Sequence, residues 1–163
     1  MGVGYTKNMT LWSDVASNFS CTYMQDDLAG ITSAPNNGVA YRADDHGNDI
    51  SSATPLVLMG NAFSDSGIIG TNTDVDVFHI TLATKSYINI QVNPWNWGSP
   101  NTKANLDVSL VVKNSSGQIM RTHEPLNVLN AWVNNLLLEP GDYYFQIKGT
   151  ANANQSGYGS LGK

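Results

Sequence analysis

The stretch Asp74-Val75-Asp76-Val77-Phe78-His79-Ile80-Thr81-Leu82 decides the fold. Its period is two: Asp76, Phe78, Ile80 and Leu82 share one face, and Val75, Val77, His79 and Thr81 share the other. Side chains alternate across a strand, so an apolar face opened by an acid reads as a half-buried strand with Asp76 at the mouth of the buried side. The same period returns at Tyr87 to Val92, with Ile88, Ile90 and Val92 inward, and at Leu106 to Val112, with Leu106, Val108, Leu110 and Val112 inward. Asn114-Ser115-Ser116-Gly117 is a turn from which Gln118 to Arg121 returns as a hairpin partner. Trp132 to Leu138 is a further strand. Glu139-Pro140-Gly141-Asp142 is a type II turn, with Pro at its first central position and Gly at its second. Tyr143, Phe145 and Ile147 then alternate with Tyr144, Gln146 and Lys148. Upstream, Leu56 to Met59 and Ser66 to Gly70 are short apolar candidates. About eight short strands with almost no helical pattern predict an all-β protein, an antiparallel β-sandwich of jelly-roll type.

Residues 1–40 read differently. Tyr5, Trp12, Phe19 and Tyr23 follow no sustained period, and Gln25 to Ile31 predicts one short helix. Thr22 is its expected N-cap, and Leu28 and Ile31 lie on one face. Ser33-Ala34-Pro35-Asn36-Asn37-Gly38 is a breaker cluster that divides a mostly irregular segment, 1–40, from the sandwich, 41–163.

A net charge of -5 and no Lys/Arg cluster exclude nucleic acid and anionic membrane surfaces as partners. No apolar run reaches membrane-spanning length, and the amino end lacks the regions of a signal peptide, so an export signal is expected outside this chain. With one cysteine, Cys21, no intrachain disulfide forms, and the thiol is expected free. Few charges and many Asn, Ser, Thr and Gly have the look of a secreted, extracellular all-β protein.

Between Ala43 and Thr84 stand six acids (Asp44, Asp45, Asp49, Asp65, Asp74 and Asp76) and no Lys or Arg. Crowded carboxylates either spread over solvent or gather around a cation. Gly47 permits a tight bend in the first group, and Asp74 and Asp76 project to one side of their strand. Folding the first across the start of the second brings carboxylate, amide and main-chain oxygens together, the hard donors calcium prefers. The helix-loop-helix calcium loop is excluded, because its glutamate and its spacing are missing.

Seven motifs occur in order: Ala43-Asp44-Asp45-His46-Gly47-Asn48, Ser52-Ala53-Thr54-Pro55-Leu56, Gly67-Ile68-Ile69, Asp74-Val75-Asp76-Val77-Phe78, Asn105-Leu106-Asp107-Val108, Leu138-Glu139-Pro140-Gly141-Asp142-Tyr143-Tyr144 and Tyr158-Gly159-Ser160-Leu161-Gly162. Together, over about Tyr41 to Lys163, they resemble the bacterial pre-peptidase C-terminal domain family. The resemblance implies a β-sandwich appended to a secreted peptidase, with calcium at the junction with the linker, as in the related collagen-binding domains of clostridial collagenases. It maps the acidic pair onto Asp74 and Asp76 and the acidic and amide linker onto Asp44, Asp45 and Asn48. His46 departs from the pattern; its nitrogens are unsuited to a hard cation, and it is expected to be a neighbour of the site, not a ligand. It also implies a final strand past Lys163.

Met1-Gly2-Val3-Gly4-Tyr5, Trp12-Ser13 and Gln25-Asp26-Asp27-Leu28-Ala29 resemble the stretch from the methionine turn to the last helix of a metzincin-like zinc peptidase, over about residues 1–33. That resemblance implies that 1–40 is the end of a peptidase domain plus linker, and that the peptidase domain is the partner in cis. The zinc-binding H-E-x-x-H helix is missing from this chain, and His46, His79 and His123 form no i, i+4 pair, so zinc belongs only to the missing domain and no catalysis is expected here. His79 falls on the outer face and is expected to be solvated. Trp95 and Trp97 form a candidate aromatic platform for a polysaccharide or a fibrous protein such as collagen. Four Asn-x-Ser/Thr triplets are expected by chance in so Asn- and Ser-rich a chain.

Overall fold

The computed structural model describes residues 12, 14, 26–36, 39–95, 104–151 and 156–163. Cys21 and Trp97 lie outside them. One helix, α1 (Asp27–Thr32), precedes β1 (Thr54–Pro55), β2 (Val75–Leu82), β3 (Ser86–Val92), β4 (Val108–Asn114), β5 (Ile119–His123), β6 (Ala131–Leu138) and β7 (Gly141–Gly149). They form a five-stranded sheet in the order β1-β2-β7-β4-β5 and a two-stranded sheet, β3-β6. The protein is mostly β.

Both sheets supply one core. Phe78 and Ile80 of β2, Val108, Leu110 and Val112 of β4 and Phe145 of β7 meet Ile90 of β3 and Ala131, Val133, Leu136 and Leu138 of β6. Burying each large aliphatic or aromatic side chain contributes about 1.5–3 kcal/mol. The inward sets are those the period of two predicts, and β4 and β5 form the expected hairpin across Asn114 to Gly117, where Gly117 takes φ +78°. The turn at Pro140-Gly141 joins strands of different sheets, β6 and β7, and Tyr143 closes it by donating its hydroxyl to the Glu139 carbonyl at 2.9 Å.

Four expectations need correcting. The helix is capped by Asp26, whose carboxylate accepts the Ala29 N–H at 2.8 Å; Thr22 lies outside the described residues. Leu28 is buried, but Ile31 is exposed although it lies three residues on. The apolar run 56–59 is not a strand: β1 ends at Pro55, only Leu56 adds a last N–H to the His79 carbonyl at 2.8 Å, and Val57 and Met59 are exposed. Finally, the five-stranded sheet is not wholly antiparallel. β1 runs parallel to β2, with Thr54 opposite Phe78 and Pro55 opposite His79. A proline has no N–H for the ladder and is at home on this outermost strand.

Candidate functional site: an acidic corner on the edge of β2

The first turn of the site is built locally. Asp44 Oδ1 accepts the His46 N–H at 3.2 Å, an Asx turn. Asp49 caps the short 3-10 helix Ile50–Ser52, its Oδ1 accepting from the N–H of Ser51 and of Ser52 at 2.8 and 3.0 Å. The Ser51 and Ser52 hydroxyls, with those N–H groups, hold the exposed Asp49 carboxyl below its ordinary range. Between them Gly47 has no room for a side chain, since a Cβ would stand 2.2 Å from the Ser52 carbonyl oxygen. The Gly47 carbonyl then accepts the Val77 N–H at 3.0 Å, and Asn48 Oδ1 accepts the Val75 N–H at 2.7 Å. The acidic turn is thereby laid along the edge of β2.

This lacing brings the predicted ligands together. One oxygen each from Asp44, Asp74 and Asp76 lie within 4.8 Å of one another. Two ligands of one calcium ion, each about 2.3–2.6 Å from it, can be no farther apart than about 5 Å. Asp45 joins from the other side, sharing a second group with Asp76 and His46, and its Oδ1 accepts the Ile68 N–H at 3.2 Å. Asn48 braces the set: its Nδ2 donates to Asp44 Oδ2 at 2.6 Å, while one lone pair of its oxygen stays open.

Asp74 and Asp76 are the unusual members. Asp74 is 8 % exposed and Asp76 only 2 %. Asp74 Oδ2 accepts the Gly70 N–H at 2.5 Å, but among the described residues Asp74 Oδ1 and Asp76 Oδ1 are buried with no hydrogen-bond partner. A buried carboxylate without donors is costly unless something compensates it. Burial first, and then the charge of Asp45, push the Asp76 carboxyl up to about 7, with Asp74 and Asp44 adding and His46 opposing.

His46 does not offer the missing ligand. Its Nε2 lies 2.9 Å from the Ser66 carbonyl, which can only accept, so that nitrogen carries a proton. Its Nδ1 lies 2.8 Å from Thr54 Oγ1, and its ring packs 4.6 Å from that of Phe78. The ring is a brace between β1, β2 and the 66–70 segment. Sequence reasoning missed this role and also missed Gly67, where a Cβ would stand 2.1 Å from Asp76 Oδ2. The glycines flanking Ile68-Ile69 were the available signal.

Elsewhere, His79 is not simply solvated. Its Nε2 lies 3.1 Å from Asp142 Oδ1, and its ring stacks on Tyr144 at 4.9 Å. Trp95 is exposed and lines a cleft of about 840 Å³ whose wall includes Asp76, Phe78 and Ile90. Thr81 donates to the same Asp142 Oδ1 at 2.7 Å. Among the described residues no helix is long and apolar enough to cross a membrane.

Comparison of the chain with protein-family models, with curated proteins and with solved structures returned no match. The family resemblance therefore rests on the seven sequence motifs alone.

Proposed function

We propose that this chain is a non-catalytic, secreted accessory module, a β-sandwich of jelly-roll type from the carboxy-terminal side of a bacterial zinc metallopeptidase. In this reading it binds calcium through Asp44, Asp45, Asp74 and Asp76, with Asn48 beside them, and its partner is its own peptidase domain. The observation that carries the reading is the convergence of buried carboxylate oxygens without donors, in Asp74 and Asp76, on the exposed acids of the preceding turn. A bound cation satisfies all of them at once. An all-oxygen donor set of irregular geometry, with no thiolate and with the His46 nitrogens engaged, favours a hard ion of calcium's size. By occupying the corner, the ion fixes the linker at 43–49 to the strand it crosses.

Thermal melting in excess calcium, excess magnesium and excess chelator tests the site. An ion bound only by the folded state raises the melting temperature by mass action. The expected order is calcium above magnesium above chelator, and identical curves in all three would sink the cation. The peptidase parentage is tested separately: the reading frame upstream of Met1 is expected to encode an H-E-x-x-H helix.

A further inference from the structure

The outer face of the β3-β6 sheet carries aromatic and amide side chains and no charged one. Neither strand contains an Asp, Glu, Lys or Arg; Lys85 and Glu139, which flank the strands in sequence, pair with each other. The inward residues of both strands belong to the core, which leaves Tyr87, Asn89 and Gln91 of β3 pointing out beside Trp132, Asn135 and Leu137 of β6. Tyr87 is 67 % exposed and opposite Leu137, and Gln91 is opposite the half-buried Trp132.

These amides are held in place. The ladder shifts register between Ile88 and Ile90, and across from the shift Asn135 adopts φ +51°, a left-handed conformation that few non-glycine residues tolerate. Its N–H donates to Asn89 Oδ1 at 2.9 Å, which fixes the Asn89 amide with its Nδ2 turned away from that bond. Gln91 Nε2 donates to Asn93 Oδ1 at 3.1 Å, leaving the Gln91 oxygen to accept and the Asn93 nitrogen to donate. Trp132 is anchored from beneath: its N–H donates to His123 Nδ1 at 3.0 Å, and the two rings lie 4.2 Å apart.

We propose that this face binds a neutral polysaccharide, with sugar rings laid on Tyr87 and Trp132 and hydroxyls bridged by the amides of Asn89, Gln91 and Asn93. A sugar ring presents C–H groups to the negative face of an aromatic ring, and each hydroxyl both donates and accepts, as a carboxamide does. The absence of charge disfavours phosphate, carboxylated glycan and nucleic acid alike. A second copy of the chain is disfavoured because amides, not apolar side chains, occupy the centre that a stable protein interface would need to be dry. Four residue steps along the strand take Tyr87 to the position of Gln91 and Trp132, about 13 Å at the rise of a strand, so the face reads an oligosaccharide and not one sugar.

The test is retention on insoluble cellulose, chitin and xylan and on immobilised neutral β-glucan, with heparin and pectate as charged controls, in calcium and in chelator. Wild type is expected to be retained by at least one neutral polymer and by neither charged one. Tyr87→Ala, an exposed change that leaves the fold's melting curve in place, weakens that retention about tenfold, the loss of one aromatic contact. Gln91→Ala weakens it less. Retention on no neutral polymer overturns the proposal, as does retention that Tyr87→Ala leaves unchanged, or a sedimenting dimer that Tyr87→Ala dissolves. Chelator is expected to lower the melting temperature without releasing the polysaccharide, so failure here and failure of the cation site are told apart.

Discussion

Two carboxylates on neighbouring, hydrogen-bonded strands meet opposite fates. Asp76 of β2 faces inward, is buried, and has an oxygen with no donor; its pKa is pushed up to about 7. Asp142 of β7 faces outward, and one of its oxygens accepts from Thr81 and faces the His79 ring nitrogen, which holds its carboxyl below the ordinary range. The sheet is the same and the residue type is the same. What differs is whether the surrounding side chains supply donors. On the outer face they do, and Asp142 is complete within the chain; at the acidic corner no donor among the described residues reaches Asp76 Oδ1, and in the proposed reading a cation completes it.

The sharpest break of this contrast is a pH series in chelator. Asp76 binds its proton more tightly folded than unfolded, so its contribution is full below about pH 4 and is lost as pH rises through about 7. Discounted for solvent screening at the corner, the raised value corresponds to a loss of about 2–4 kcal/mol. Urea midpoints at pH 4.5 and 7.5 measure it. Asp76→Asn is expected to remove that slope, and a slope that persists in the variant would place its origin elsewhere.

Next in size is the calcium response. At a hundredfold excess over its dissociation constant, an ion bound to the folded state alone adds about 2.7 kcal/mol. Asp74→Asn and Asp76→Asn are each expected to abolish most of it, whereas Asp142→Asn keeps it whole. Equal losses from all three would erase the distinction between the two regions.

Gly67→Ala is expected to cost about 1–3 kcal/mol, because its new Cβ meets the Asp76 carboxylate and not open space. The cost should grow in the presence of calcium, since the displaced carboxylate then also loses its ion. Melting curves of the variant with and without calcium check this. Smallest is the effect of Thr81→Val. It removes one donor from Asp142, so the contribution that carboxyl makes above its ordinary range shrinks, and the shortfall disappears as pH falls through the lowered pKa. Nuclear magnetic resonance titration of Asp142 is the measurement, with an upward move expected.

The strands were legible because alternation is local. Phe78, Ile80 and Leu82, or Val108, Leu110 and Val112, announce their inward face without reference to any other segment. The acidic corner was legible in part. Its members were readable from the missing counter-charge, and Asp44, Asp74 and Asp76 do converge. The brace formed by His46 was not, because Thr54 and the Ser66 carbonyl, which engage its two nitrogens, are 8 and 20 residues away. The run 56–59 misled because its apolar residues carry no information about which neighbour would pair with them.

The sequence by itself determined the periodicity, the turns and the accumulation of acids in a stretch without Lys or Arg. Only the tertiary structure decided which acids lose their water. Desolvation depends on what the rest of the chain lays over a residue, and Gly67, nine residues away, packs so closely that a Cβ there would meet the Asp76 carboxylate.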